Sequence, residues 1–166
     1  MNTVDFIQGS VHALHQALLE DMHGLSEDHL AWRPQIGANP IGYIFLHYVR
    51  TEDASVQGLQ GLPILWDAEK FSQALSDVGR SVGGDTIDNA ARIPLADSLA
   101  YAHKVMDRTR QFLGTLDDSK LDISPDPNRP RRTVGVTFRA FVLAHGWWHL
   151  GEIKYLKGLQ GMPAPI

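Results

Sequence analysis

Near its C-terminus the chain reads Ala144-His145-Gly146-Trp147-Trp148-His149-Leu150-Gly151-Glu152. This stretch lies in a proline-free run from Thr133 to Gly161 whose apolar residues recur at helical spacing, which predicts a helix. Residues four apart on a helix lie on one face, so His145 and His149 are neighbours and Glu152 follows one turn later. A helix that holds two imidazoles side by side suits a divalent metal, because both ligands are in place before the ion arrives. The alternative is a core histidine next to a surface histidine.

The composition narrows the classes to which the protein can belong. Its 166 residues, 43% hydrophobic and 20% charged, are typical of a soluble globular protein, and the length predicts one domain over residues 1–166. A net charge of -4 argues against nucleic-acid binding, which would show a basic excess. Without cysteine, a metal must be held by histidine and carboxylate. The N-terminus lacks a signal-peptide pattern and no apolar run is long enough to span a membrane, so we expect a cytoplasmic protein without membrane partners.

Four long amphipathic helices are predicted from the apolar spacing and from glycine and proline at the ends. They span about Thr3 to His23, Asn39 to Gln57, Pro94 to Leu116 and Thr133 to Gly161. The second begins with Asn39 as its cap and Pro40 in its first turn. No strand pattern competes, so the predicted fold class is an all-α four-helix bundle with a long connection between helices two and three.

The two long connections are less regular than the helices. Between Gly58 and Ile93 we predict a short helix from Glu69 to Val78, a turn at Val82–Asp85, and a crossover that walls a pocket. The loop from Asp117 to Arg132 is rich in proline. Its clustered arginines, which we expect to be solvated, are Arg129, Arg131 and Arg132.

A third histidine lies on a facing helix. His47 sits just off the apolar side of the second helix, between Ile44 and Thr51. Bundle cores build metal sites from side chains on facing helices, so His47 is placed to approach His145 and His149.

Two further histidines lie on the first helix. His12 and His15 fall at and near its apolar stripe. We expect each to be a part-buried histidine bonded to a neighbour rather than a ligand. On the second helix a carboxylate, Glu52, follows the apolar side one turn after Tyr48.

Two motifs in this order resemble the DinB/YfiT-like metalloenzyme domain. The first is Asn39-Pro40-Ile41-Gly42-Tyr43-Ile44-Phe45-Leu46-His47, preceded by Trp32-Arg33-Pro34, and the second is His145-x-x-x-His149-x-Gly151-Glu152-Ile153. The resemblance covers nearly the whole chain in the same helix order and is weakest between Gly58 and Ile93. It implies a four-helix bundle in which three histidines bind one divalent metal, usually zinc or nickel. The implied ligands are His47, His145 and His149.

The resemblance also implies a chemistry. Several relatives are thiol-dependent transferases or isomerases that use a low-molecular-weight thiol such as mycothiol or bacillithiol. We therefore expect such a thiol as a cosubstrate and a small molecule as the substrate. Three neutral imidazoles leave a metal the open positions of a catalytic site, where a thiol or a water is activated, so a metal-dependent hydrolase stays open. Gly146 stands where zincin proteases have a glutamate, which excludes that class.

Glu152 is the candidate catalytic residue. This position can be Gln in the family and is Glu in this chain, so the resemblance does not assign its role. It lies one turn beyond His149 on a stripe that we expect to be apolar, where a carboxylate needs a partner. Three roles are open: a further ligand, an acceptor for a histidine N–H, or a base, and we favour the acceptor or the base. The alternative is a salt bridge at the end of the bundle.

A non-catalytic helical module, for instance a stress-induced homodimer, is the second class of function. Trp32, Trp66 and Trp147 are expected to be at least half-exposed and to suit an interface. Trp147 and Trp148 are adjacent, so on a helix they point about 100° apart and cannot both lie in the core. A two-fold pair is the commonest assembly, and we expect a homodimer.

Overall fold

The computed structural model describes residues 2–71 and 93–163, and these residues form helices joined by turns and loops. In chain order the α-helices are α1 Thr3–Met22, α2 Glu27–Ala31, α3 Ile41–Gln60, α4 Leu65–Ala68, α5 Leu95–Leu113, α6 Val134–Thr137 and α7 His145–Leu159. A 3-10 helix at Asp118–Lys120 and a π-helical segment at Phe138–Ala144 complete the described elements. No strand occurs in these two ranges, which confirms the all-α prediction. None of the described helices has the length and apolar character that a membrane span requires.

Four of the described helices are long. α1 and α3 have 20 residues each, α5 has 19 and α7 has 15. α3 is central, because it packs against both α5 and α7. These four follow the predicted order, although the count of four stays a prediction for the whole chain. The predicted turn at Val82–Asp85, and all of the predicted helix Glu69–Val78 except residues 69–71, lie outside the described residues.

The ends of α3 differ from the prediction. The helix starts at Ile41 with Pro40 as the residue before it, and no side chain caps this start, so the predicted cap by Asn39 is wrong. At the other end the helix continues through Gly58 to Gln60. Gly61 has a φ of 66°, the left-handed conformation that commonly ends a helix and that glycine adopts without strain.

The last predicted helix is not one regular α-helix. α6 leads into the π-helical segment, which leads directly into α7. Buried residues recur every four positions along it, at Val134, Phe138, Val142, Gly146 and Leu150. An α-helix turns about 100° per residue, so over the sixteen steps from Val134 to Leu150 the row would rotate about 160° around the helix axis. A regular α-helix would therefore turn part of this row away from the core. The wider turns of the π-helical segment absorb the difference, and such segments are frequent at functional sites.

Gly146 allows α7 to approach the rest of the core closely. A Cβ atom at this position would lie 2.4 Å from Leu14 Cδ2 and 2.7 Å from Tyr48 Cε2. Both distances are shorter than a van der Waals contact, so a larger residue would push α7 away from α1 and α3. Because His145 directly precedes Gly146, the same close approach holds His145 near α3.

Trp66 is buried, contrary to the prediction that it is exposed or half-exposed. It is 5% exposed, and its ring lies edge-on to Tyr101 at 5.2 Å between centroids. The short helix α4, which contacts both α3 and α5, places Trp66 where these two helices meet. Trp147 and Trp148 are 46% and 70% exposed, so neither lies in the core.

A buried ion pair joins the end of α1 to α7. Asp21 is 2% exposed, and its carboxylate accepts from Lys157 Nζ at 2.8 Å and contacts Lys154 Nζ at 2.8 Å. Burial alone would raise the pKa of Asp21, but the hydrogen bonds and charges of the two lysines outweigh it and lower the pKa below its ordinary value. A carboxyl group with a lowered pKa stabilises the fold above its unfolded pKa, and this stabilisation is lost as the pH falls through the folded pKa.

Asp21→Asn is therefore expected to destabilise the protein at pH 7 by about 1.5–3 kcal/mol, the range for hydrogen bonds to charged groups. The difference from the wild type should shrink below about pH 4, where the carboxyl group of the wild type also becomes neutral. Urea unfolding of both proteins at pH 7 and pH 3 measures this. Glu20→Gln, at an exposed neighbouring position, is the control, and an equal loss at both pH values would contradict the assignment.

Candidate metal centre

Three histidines from two helices meet at one place in the bundle. His47 projects from α3, and His145 and His149 lie in the first two turns of α7. One nitrogen of each ring lies within 4.8 Å of the other two, and all three residues are partly buried. The structure thus brings together the three residues that the sequence predicts as ligands.

The ring geometry is that of a converging cluster. His145 Nε2 and His149 Nε2 are 2.9 Å apart. The His47 ring lies edge-on to both, at 5.2 Å between centroids in each case. Two nitrogens bound to one ion at about 2.0–2.1 Å lie no more than about 4.2 Å apart, so the α7 pair fits a shared ion. Three imidazole donors suit a divalent ion such as zinc or nickel.

Glu152 contacts the cluster through His149. His149 Nδ1 and Glu152 Oε2 are 2.6 Å apart. A carboxylate can only accept, so His149 donates from Nδ1 and its Nε2 carries the lone pair that faces the other rings. The side chain of Glu152 is 42% exposed. The expectation that it lies in an apolar place is therefore wrong, although the partner that it needs is present.

The cluster favours uncharged imidazoles. Burial, and then the charges of His149 and His47, lower the pKa of His145 to about 4. Burial, and then the charges of His149 and Arg50, lower the pKa of His47. Both groups are thus neutral at pH 7, which is the form that binds a metal.

The Nδ1 side of the His145 ring is positioned by packing rather than by a hydrogen bond. Its Nδ1 is buried and has no hydrogen-bond partner among the described residues. The ring instead packs on Tyr48, at 6.0 Å between centroids. The orientation of His145 therefore depends on how firmly Tyr48 is held.

Glu52 fixes the side chain of Tyr48 through a buried hydrogen bond. Its side chain is completely buried and accepts from Tyr48 Oη at 2.6 Å and from Thr109 Oγ1 at 2.5 Å. His15 Nε2 lies 3.0 Å from Glu52 Oε1. Burial would raise the pKa of Glu52, but the charge of His15 and the three hydrogen bonds outweigh it and lower the pKa. Glu52 therefore stays ionised and links α1, α3 and α5 beneath the histidines.

This network is a part of the site that sequence reasoning missed. The signal was a carboxylate, Glu52, on the apolar side of α3, which requires a buried partner. His15 is that partner and is buried, as predicted for a histidine bonded to a neighbour. His12 is exposed, so the same prediction is wrong for it, because it lies on the solvent side of α1.

A cavity of about 280 Å³ opens beside His47. It follows α3 and is lined by Arg50 and Arg132, among others. Arg132 is partly buried and stacks on Phe141, with 4.6 Å between the guanidinium carbon and the ring centroid. The prediction that the arginines of this loop are solvated is therefore wrong for Arg132, which the fold of the loop brings against α3 and the π-helical segment.

Comparisons with known proteins agree with this architecture. A search of curated proteins found no match. A crystal structure of a conserved protein from Enterococcus faecalis has a similar fold, with a TM-score of 0.79 over 96% of this chain and 97% of that chain, at 16% sequence identity. The family model described as the DinB superfamily matches residues 11–153, a range that contains all three histidines and Glu152. A match over so much of the chain shows that this protein belongs to the DinB superfamily.

Proposed function

We propose that this protein binds one divalent metal ion through His47, His145 and His149 and acts as a metal-dependent enzyme on a thiol or a water. The observation that carries the proposal is the convergence of three ring nitrogens within 4.8 Å of one another. The lowered pKa values of His47 and His145 support it, because they keep the donors neutral. Zinc or nickel is the proposed ion.

A bound divalent ion would act as a Lewis acid and bring the pKa of a thiol or water towards neutrality. The protein contributes the position and the surroundings of the reacting groups. The three histidines are partly buried, which limits the access of bulk water to the cluster. His47 lines the neighbouring cavity, which is therefore the proposed place for the substrate.

A low-molecular-weight thiol is the proposed cosubstrate. The proposed location is the reducing cytoplasm, where such thiols are kept reduced.

Thermal unfolding with a small thiol tests thiol activation. 2-Mercaptoethanol should raise the melting temperature of the zinc-loaded protein and leave that of the metal-free protein unchanged, since a ligand stabilises only the state that binds it. His47→Ala should abolish the shift, and His12→Ala, on the exposed side of α1, should retain it. An equal shift with and without metal would contradict a thiol that binds at the metal.

Glu152 is proposed to hold the His149 ring in place. Glu152→Ala should lower metal affinity by about 10–100-fold, the range for carboxylates that bind a ligating histidine. Glu152→Gln keeps an acceptor oxygen and should lower it less. Competition with a chromogenic chelator measures both, with Glu20→Ala as the control. Unchanged affinity in the Ala variant would contradict this role, and a Gln variant that keeps metal but loses turnover would assign Glu152 as a base.

A homodimer is proposed on the basis of an exposed apolar face of α7. Trp148, Tyr155 and Leu159 are 70%, 68% and 46% exposed, and their spacing of seven and four places them on one side of the helix. Light scattering at tens of micromolar should give twice the chain mass of 18.4 kDa. Tyr155→Glu should yield a monomer, whereas Phe6→Glu, at another exposed apolar position, should not. A monomer mass for the wild type would exclude the dimer.

A further inference from the structure

The cavity beside His47 is flanked by two positive charges. It has a volume of about 280 Å³, just below the roughly 300–1,000 Å³ of typical ligand pockets. His47, Arg50, Thr51 and Ser55 all line it. These positions extend over about 12 Å of α3, from the histidine cluster at one end to Ser55 at the other.

Both arginines are held in place through aromatic rings. The guanidinium carbon of Arg50 lies 4.6 Å from the centroid of the Trp66 ring, and that of Arg132 lies 4.6 Å from the centroid of Phe141. Stacking of this kind fixes the plane of a guanidinium while leaving its N–H groups at the edge free to donate. Arg132 also reaches Ser55 Oγ, at 3.5 Å.

Neither guanidinium is neutralised by a carboxylate within residues 2–71 and 93–163. Arg110 and Arg129, in contrast, form ion pairs with Asp107 and Asp126. Both arginines thus lack a carboxylate partner in the described part of the chain although both are partly buried, where an uncompensated charge is costly. A bound anion would compensate them.

Asp53 is the acidic group that lines the same cavity. Its oxygens accept from the backbone N–H groups of Leu65 and Trp66, at 3.1 and 3.0 Å, and from Tyr101 Oη at 2.8 Å. Burial raises the pKa of this carboxyl group, although these three hydrogen bonds oppose the shift. Asp53 is thus committed to the start of α4 and to Tyr101, and it forms no ion pair with either arginine.

We propose that Arg50 and Arg132 form an oxyanion-binding site, and that its ligand is the carboxylate of a small organic acid whose other end reaches the histidine cluster. A planar carboxylate matches the fork of a guanidinium. Arg50 lies one turn of α3 from His47, so an acid of a few carbons spans the interval. The identity of the reacting end rests on the proposed function, whereas the anion site itself does not require the metal.

Calorimetric titration of the metal-free protein tests the anion site. Glutarate, inorganic phosphate and the neutral 1,5-pentanediol are the probes. Glutarate should bind saturably and more tightly than phosphate, and pentanediol should not bind. The double variant Arg50→Gln/Arg132→Gln should lose about tenfold or more of the glutarate affinity. Arg110→Gln, which removes an exposed arginine on α5, should keep it, and circular dichroism checks that each variant is folded.

The affinities for glutarate and phosphate decide whether the site exists and which anion it binds. Glutarate affinity within twofold of the wild type in the double variant, or no saturable binding of either anion to the wild type, would overturn the site. Tighter binding of phosphate, lost in the double variant, would overturn the carboxylate and assign a phosphate ester instead. Retained binding in Arg50→Lys/Arg132→Lys at reduced affinity would support recognition by the guanidinium fork as well as by charge.

Titration of the same metal-free proteins with zinc distinguishes this inference from the proposed function. A wild type that binds glutarate but no divalent ion would remove the metal-dependent enzyme and keep the anion site. A wild type that binds zinc but not glutarate would do the reverse. His145→Ala should lose zinc and retain glutarate, because His145 does not line the cavity.

Discussion

Replacement of His145 with alanine is expected to lower the affinity for zinc or nickel by about 100-fold or more. Loss of a direct ligand should lower metal affinity more than loss of a carboxylate that hydrogen-bonds to a ligand, which lowers it roughly 10–100-fold. His145 has its Nε2 2.9 Å from that of His149, so its removal leaves the ion with two imidazoles. Competition with a chromogenic chelator measures the change in affinity.

The control for this variant is His12→Ala, which removes an exposed histidine from α1. The fold of the His145 variant should persist, because the ring is only partly buried and rests on Tyr48 without a hydrogen bond to it. Equal zinc affinities of the His145 variant and the wild type would contradict the assignment of His145 as a ligand.

Replacement of Glu52 with leucine is expected to destabilise the fold by about 3–5 kcal/mol, the range for removal of one partner from a buried pair. The variant leaves His15, Tyr48 and Thr109 without the acceptor that they share in the wild type. Unfolding in guanidinium chloride measures the loss. Metal affinity should fall as well, because Tyr48 would no longer be held beneath His145.

A double variant tests whether the loss comes from unpaired groups. His15→Leu/Glu52→Leu should be more stable than Glu52→Leu alone, since His15 is then no longer buried without its partner. Glu20→Leu, at an exposed position on α1, should change the stability little. If the two losses simply add, the pair does not interact as described.

The histidine cluster could be predicted from sequence because its main determinant is local. The spacing of His145 and His149 places both on one face of any helix, and the apolar positions around them direct that face inward. The pattern on α3 likewise placed His47 near the apolar side. The all-α class followed from the same periodicity, and the observed order of the long helices agrees with it.

Features that depend on packing between distant segments could not be predicted in this way. The π-helical segment arises because one face must satisfy contacts with α1 and α3 over a row of residues spaced four apart. The partners of Glu52 come from three helices. Arg132 lies in a loop whose composition suggested solvent, and its place beside α3 depends on how that loop folds back.

A crystal structure of the zinc-loaded protein with anomalous data at the zinc edge tests directly whether the three histidines bind one metal ion. We expect one anomalous peak per chain, bound by nitrogens of His47, His145 and His149 at about 2.0–2.1 Å, with at least one position left to solvent or ligand. A peak elsewhere, or no peak at this cluster with His47 turned into solvent, would contradict it.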